Sequence, residues 1–146
     1  VEENLQVWLP DADQRAAAYD RFPALADRRG QPAGALSGGE QQMLAVAPAL
    51  VRPPLVLVAD EPSLGLAPLV VEQVYAALRE LKERGTAVLL VEEKANDVLA
   101  LADTVAFLQV GRLAFTAPAA EVDEERLVQA YLGIPTAAPT GAQAPD

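Results

Sequence analysis

Two short motifs carry residues whose types and spacing could do chemistry. The first, "ALSGGEQQ", spans residues 35–42 and places Ser37 three residues before Glu40, at the start of a helical pattern. This spacing is that of a capping box, in which a hydroxyl and a carboxylate each bond a backbone N–H at the helix start. Two glycines just inside the helix would also leave amides open to a phosphate. The motif therefore predicts a helix cap, a phosphate site, or both.

The second motif is the carboxylate pair Asp60 and Glu61, which follows the apolar run "LVLVA" at residues 55–59. Such a run is typical of a strand covered on both faces in a parallel sheet. One carboxylate could hold the water shell of a magnesium ion, and the other could orient an attacking water. A polar turn that closes a strand is the alternative for so short a motif. Glu92 and Glu93 follow a second apolar run in the same way.

Hydrophobic periodicity and turn residues predict the elements that position these motifs. The predicted elements are helices at 12–22, from Ser37 onward, 69–84, 96–102 and 120–133, strands at 55–59 and 86–91, and a hairpin at 104–117 that turns at Val110 and Gly111. Pro48 should end or kink the helix that starts at Ser37, because proline lacks a backbone donor. Strand, helix and strand in this order predict a parallel α/β sheet, with ligands beyond the carboxyl ends of its strands.

Composition excludes several function classes. The 146 residues include 11 Lys and Arg against 21 Asp and Glu, and the resulting net charge of −10 argues against binding to nucleic acid. Without cysteine or histidine the usual zinc sites are excluded. The longest apolar runs fall far short of the roughly 18 residues that a membrane-spanning helix needs. Residues 134–146 are poor in large apolar side chains, which predicts a disordered tail.

Together the two motifs resemble the ATP-binding cassette family. "LSGGEQQ" followed by "PPLVLVADEPS" resembles the cassette signature and the Walker B strand, and "EPSLGLAPLVV" looks like the branched-chain amino acid importer type. The resemblance implies the α/β fold of P-loop nucleoside triphosphatases and covers its C-terminal part, including part of the helical subdomain. The implied organisation is a remnant of the helical subdomain at 1–34, a part with signature helix, Walker B strand, switch region, hairpin and C-terminal helix at 35–133, and the tail at 134–146.

The resemblance also implies roles for individual residues. Contacts to ATP that is held mainly by an opposite subunit are implied for Ser37, Gly38, Gly39 and Gln41. Asp60 would serve Mg²⁺ through water, and Glu61 would position or activate the attacking water. Glu93 falls at the switch position of the catalytic site, where a carboxylate would repel the γ-phosphate unless it is protonated or turned away.

The implied function is that of an ATP-binding and ATP-hydrolysing subunit, in part, of an importer for branched-chain amino acids. ATP and Mg²⁺ are the implied cofactors. The implied partners are a second cassette subunit and transmembrane permease subunits, without nucleic acid, at the cytoplasmic face of the cell membrane as a peripheral protein.

A missing motif leaves an alternative open. The 146 residues contain no G-x-x-x-x-G-K-[ST] P-loop, so we expect ATP hydrolysis only if the chain is joined to a half that carries one. The alternative is a non-catalytic or decayed cassette fragment that at most supplies the signature motif to a partner's ATP site. A sheet without its neighbouring strands would also expose apolar surface, which predicts marginal stability or aggregation.

Overall fold

The computed structural model describes residues 1–93 and 98–132, which form two compact units, Val1–Glu92 and a second that starts at Glu93. The predicted tail at 134–146 and the start of the helix predicted at 96–102 lie outside the described residues. The helices are α1 (Glu2–Trp8), α2 (Ala12–Arg21), α3 (Pro23–Ala26), α4 (Gly38–Val51), α5 (Pro68–Glu83) and α6 (Glu124–Tyr131). The strands are β1 (Val56–Asp60), β2 (Ala87–Val91), β3 (Thr104–Gln109) and β4 (Arg112–Pro118). No helix of this described part is long and apolar enough to span a membrane.

Helices α1 to α3 all pack on α4. The sequence predicted only α2 among them. Helix α1 is held at its start by the Glu2 N–H, which donates to the Arg29 carbonyl at 3.0 Å. The core of this unit has five fully buried large side chains, which are those of Leu5, Leu9, Leu25, Leu78 and Leu81. The first 34 residues therefore contribute to the same core as α4 and α5.

Helix α4 begins as predicted and ends three residues after Pro48, near the point at which the proline is expected to end or kink it. The helix continues to Val51, and the Arg52 N–H donates to the Pro48 carbonyl at 2.9 Å. Because Pro48 lies in the last turns, its missing N–H removes one helical bond near the end and leaves the rest in place. A guanidinium N–H of Arg84 donates to the Leu50 carbonyl and so satisfies an acceptor at the end of this helix.

Strands β1 and β2 form the predicted parallel pair, in a register that sets Val56 beside Ala87 and Asp60 beside Val91. One face of the pair is half-buried, and Leu57 on that face packs against the core. The expectation of cover on both faces is wrong for the described residues: Val58 is 63% exposed and Leu89 is 58% exposed. The open face borders a cavity of about 1080 Å³, which Val58 helps to line. The open face is the exposed apolar surface that we expect of a sheet without neighbouring strands.

The second unit contains the predicted hairpin of β3 and β4. These strands pair antiparallel and turn at Val110 and Gly111, whose φ angles are 47° and 73°. Two consecutive positive φ angles are typical of the two-residue turn that matches the twist of a hairpin. Phe107 and Phe115 stack across the strands with ring centroids 5.4 Å apart. The hairpin is therefore confirmed in its strands and in its turn.

Substitutions on the two faces of β1 and β2 should differ in their effect on stability. We expect Val58→Thr combined with Leu89→Thr to change the free energy of unfolding by no more than about 0.5 kcal/mol, because both side chains already face solvent. The double variant should also scatter less light than the unmodified chain at equal concentration, because it removes exposed apolar surface. Leu57→Thr, on the packed face of the same strand, is the control and should cost about 1 to 3 kcal/mol. Unchanged light scattering by the double variant would contradict the expectation.

Candidate functional site

The start of α4 is the first part of the candidate site, and it has the geometry of a capping box. The Ser37 N–H donates to Glu40 Oε2 at 2.9 Å, and the Glu40 N–H donates to Ser37 Oγ at 3.4 Å. The Ser37 hydroxyl also donates to Glu40 Oε2, at 2.8 Å. The helix cap that the sequence predicts is therefore confirmed, while the contact of this motif with ATP stays a prediction.

The carboxylate of Glu40 is held in its charged form. The backbone N–H of Ser37 lowers the pKa of Glu40 below its ordinary value, and the Ser37 hydroxyl and the positive charge of Arg28 act in the same direction. Arg28 Nε lies 3.0 Å from Glu40 Oε1. Arg28 precedes α4 in the chain and lies outside the predicted motif. The negative charge of Glu40, in the first turn of α4, also interacts favourably with the positive end of the helix dipole.

The two glycines of the motif have different surroundings. A Cβ on Gly39 would lie 2.7 Å from Val70 Cγ1, a distance at which one of the two groups must move. A Cβ on Gly38 would lie 3.5 Å from the nearest side-chain atom, Cδ2 of Leu66, which is ordinary contact. Gly39 is buried and Gly38 is exposed. Gly39 therefore lets α4 approach α5 closely, and Gly38 remains at the surface.

Gln41 lies in the first turns of α4 and is exposed. Its side-chain amide donates to the Leu36 carbonyl at 3.1 Å, and its backbone N–H donates to the Ser37 carbonyl at 2.9 Å. The side-chain bond ties the helix to the residue before the cap. A contact of Gln41 with ATP would use the side-chain oxygen, or it would need this bond to open.

The second part of the candidate site lies at the carboxyl ends of β1 and β2. Asp60 is the last residue of β1, and the Glu61 N–H continues the pairing by donating to the Val91 carbonyl at 2.9 Å. Glu61 has a φ of 46°, in the left-handed region that residues other than glycine seldom adopt. Asp60, Glu61 and Glu92 therefore leave the sheet at the same edge, as the sequence predicts from the strand ends.

The contacts of the Glu92 side chain were not predicted from the sequence. Glu92 Oε1 accepts the Ser63 N–H at 3.0 Å and the Tyr75 hydroxyl at 2.9 Å. Ser63 belongs to the loop after β1, and Tyr75 is buried on α5. One oxygen of the Glu92 carboxylate, just after β2, thus joins that loop to α5. A polar Tyr75 within the apolar stripe of α5 was the sequence signal for such a contact.

Glu93, the predicted switch residue, is the first residue of the second unit. It is exposed, and its backbone carbonyl accepts a hydrogen bond from the Tyr131 hydroxyl at 2.5 Å. The bond joins the start of this unit to α6. A catalytic role of Glu93 beside Asp60 and Glu61 stays a prediction.

The carboxylates at this edge suit magnesium better than a metal ion that is bound by protein side chains alone. Within residues 1–93 and 98–132, no group of three or more His, Cys, Asp or Glu side chains could hold a metal ion. Magnesium is usually bound by one or two carboxylates together with water and substrate phosphates. Asp60 and Glu61, adjacent at a strand end, offer such a partial set.

Several known proteins are similar to this chain in sequence. A sequence profile of the ABC transporter family matches residues 1–64, from α1 to the loop after β1. The chain is 42% identical over 140 residues to the high-affinity branched-chain amino acid transport ATP-binding protein BraG of Pseudomonas aeruginosa, across 91% of this chain and 60% of BraG. It is 37% identical over 142 residues to the probable branched-chain amino acid transport ATP-binding protein LivF of Archaeoglobus fulgidus, across 92% of this chain and 60% of LivF.

The fold is shared with solved structures as well. The solved structure of an ATP-binding subunit of an ABC transporter superposes with a TM-score of 0.69 at 22% identity, across 93% of this chain and 57% of that one. The α/β cassette fold expected from the sequence is thereby confirmed. The chain spans 60% of the length of the two curated relatives named above.

Profile, relatives and fold point to one class: the chain is similar to ATP-binding proteins of the ABC transporter family and shares their fold. Both of these relatives are named as branched-chain amino acid transport ATP-binding proteins, the type that "EPSLGLAPLVV" resembles.

Gly39→Ala should destabilise the chain, whereas Gly38→Ala should not. We expect a loss of about 1 to 2 kcal/mol for Gly39→Ala, because the cost of overpacking against Val70 exceeds the gain in helix propensity. A β-branched side chain on a helix has few alternative rotamers, so Val70 cannot easily move away. Adding Val70→Ala to each glycine variant gives two double variants, and their free energies of unfolding should differ much less than those of the single variants. Urea unfolding of all four proteins measures this, and equal stability of the two single variants would contradict the packing role of Gly39.

The contribution of Glu40 to stability should depend on pH. Since its folded pKa lies below the ordinary value of 4.5, the carboxylate stabilises the fold above that pH and loses this effect as the pH falls through the folded pKa. Glu40→Gln should therefore cost up to about 1 kcal/mol at pH 7 and progressively less in acid. Glu83→Gln, on the exposed end of α5, is the control. A Glu40→Gln effect that is the same at pH 7 and pH 3 would refute the expectation.

Proposed function

We propose that this chain is the signature and Walker B part of an ATP-hydrolysing subunit that powers the import of branched-chain amino acids. The observation that carries the proposal is the 42% identity across 91% of the chain to a branched-chain amino acid transport ATP-binding protein. The capped start of α4 and the carboxylate edge of β1 and β2 agree with it. The names of both curated relatives favour this function over a non-catalytic or decayed fragment.

The start of α4 would contact the γ-phosphate of ATP that is held mainly by an opposite subunit. The Gly38 amide lies in the first turn of a 14-residue helix, where amides lack helical acceptors and the dipole favours an anion. Gly38 is exposed and leaves room for a phosphate oxygen, whereas Gly39 fixes the helix against Val70. Ser37 would add its hydroxyl to the same contact.

The carboxylate edge would act on the metal and on the attacking water. Asp60 would hold Mg²⁺ through the ion's water shell. Glu61 would accept a hydrogen bond from the attacking water and so orient this water toward the γ-phosphate. When bound, Mg²⁺ neutralises charge on the phosphate oxygens and so assists the displacement. The left-handed backbone of Glu61 sets the direction in which its side chain leaves β1. Glu93 would complete the site at the switch position.

The partners of such a subunit would be a second cassette and transmembrane permease subunits. The two cassettes would enclose ATP between the signature of one and the phosphate-gripping residues of the other. The complex would place this subunit at the inner face of the cell membrane, in the cytoplasm. Hydrolysis would then be coupled to opening and closing of the permease, a transition of the kind in which nucleotide contacts order and release mobile segments.

Solute uptake tests the proposed function. Cells that lack the gene should lose uptake of radiolabelled leucine, isoleucine and valine, and the intact gene should restore it. The gene with Glu61→Gln should fail to restore uptake, with transport at least about a hundredfold below the intact gene, because the attacking water is no longer positioned. Glu83→Gln is the matched control and should restore uptake fully, since Glu83 lies exposed at the end of α5.

Two outcomes would overturn the proposal. Normal uptake of all three amino acids in cells without the gene would contradict the assigned solute class, with ribose uptake measured beside it as the control for general transport. Full restoration by Glu61→Gln at equal protein level would favour the non-catalytic alternative instead.

A further inference from the structure

The loop between β1 and α5 holds Glu61 in a backbone conformation that needs support. A φ of 46° brings the Cβ of a residue close to the following carbonyl oxygen, which is unfavourable for any residue with a side chain. Such a conformation persists only where surrounding contacts enforce it. Within the loop, the Leu64 N–H donates to the Glu61 carbonyl at 3.1 Å and the Leu66 N–H donates to the Ser63 carbonyl at 3.2 Å. Both bonds lie within the loop, so they do not attach it to the rest of the unit.

Glu92 supplies the fixed point. Its Oε1 accepts the Ser63 N–H at 3.0 Å, two residues after Glu61, and accepts the Tyr75 hydroxyl at 2.9 Å from the other side. Bonds to a charged acceptor are roughly twice as strong as neutral ones. Tyr75 is only 8% exposed, so the hydroxyl that orients the carboxylate comes from a side chain that is itself held by packing. One oxygen thus connects the loop to β2 and to α5.

We propose that Glu92 is a positioning residue for Glu61. Its carboxylate holds Ser63 and thereby keeps the loop after β1 closed against β2, so that Glu61 stays in its left-handed conformation at the sheet edge. Glu92 itself contacts neither water nor phosphate in this role. The consequence for ATP hydrolysis rests on the function proposed above, whereas the hold on the loop is a property of this chain by itself.

The geometry distinguishes this role from a simple link between β2 and α5. Such a link would need only the bond from Tyr75. The bond from Ser63 serves the loop, and the Glu61 N–H donates to the Val91 carbonyl, next to Glu92, at 2.9 Å. Residues 61 and 63 are therefore both held by consecutive residues at the end of β2. Removal of the Glu92 carboxylate leaves the first bond and releases the second.

Nuclear magnetic resonance of the isotopically labelled 146-residue chain tests the hold on the loop. Glu92→Ala should speed hydrogen exchange of the Ser63 amide by about tenfold to a hundredfold and should shift the Glu61 amide and Cα resonances. The Leu89 amide, in the middle of β2 and on the side that pairs with β1, should exchange as before. Glu92→Gln should restore both signals, because its side-chain oxygen can accept the same two bonds. Unchanged Ser63 exchange and Glu61 resonances in Glu92→Ala would overturn the proposal.

A milder pair of variants keeps the test decisive if Glu92→Ala fails to fold. Tyr75→Phe removes one donor from Glu92 and should speed Ser63 exchange several-fold. Tyr131→Phe is its matched control: it removes a hydroxyl that donates to the neighbouring Glu93 carbonyl, in the second unit, and should leave Ser63 unchanged. Equal Ser63 exchange in these two variants would also overturn the proposal.

The uptake assay separates this proposal from the proposed function. With the gene for Glu92→Ala, amino acid uptake should fall at least about tenfold in maximal rate with little change in the half-saturating amino acid concentration, and Glu92→Gln should recover most of the rate. Loss in Glu92→Ala without recovery by Glu92→Gln would contradict positioning by hydrogen bonding. If cells without the gene transport normally, the proposed function fails, and the Ser63 and Glu61 signals still decide whether Glu92 holds the loop.

Discussion

The parallel pairing of β1 with β2 is the constraint on which the candidate site depends. It sets Asp60 beside Val91, so that the residues after both strands leave the sheet at one edge. The Glu61 N–H extends the pairing by one bond, and the chain turns there with a positive φ. Without the pairing, carboxylates about thirty residues apart in the chain would have no reason to meet. The chemistry of the edge is thus a consequence of strand register.

The second constraint is the close approach of α4 to α5. Gly39 permits it because any side chain there would meet Val70, and the contact brings Leu66 of the loop after β1 near Gly38. The loop that begins with Glu61 therefore has contacts at both of its ends, with α4 and with β2. A change in the packing of the two helices would be felt by this loop, since packed elements transmit displacement rather than absorb it.

Elements with a strong local pattern could be predicted from the sequence, and those fixed by distant contacts could not. Helix α5 and the hairpin follow from apolar spacing and from a turn at Val110 and Gly111. Helices α1 and α3 were missed because they are short and depend on tertiary packing, which overrides weak propensity. The cap residues and the strand-end carboxylates were found from their types and spacing. The contacts of Glu92 were not, because Ser63 and Tyr75 lie 29 and 17 residues away in the chain.

The Ser37 hydroxyl has a single hydrogen, and in this structure Glu40 receives it. An anion that arrives at the start of α4 and accepts that hydrogen must take it from Glu40, so the approach is an exchange of acceptors and not a simple gain of one bond. Arg28, paired with the other Glu40 oxygen, would keep the carboxylate partly compensated after the exchange. In the proposed contact with ATP, a phosphate would therefore compete for the Ser37 hydroxyl with Glu40, three residues along the chain.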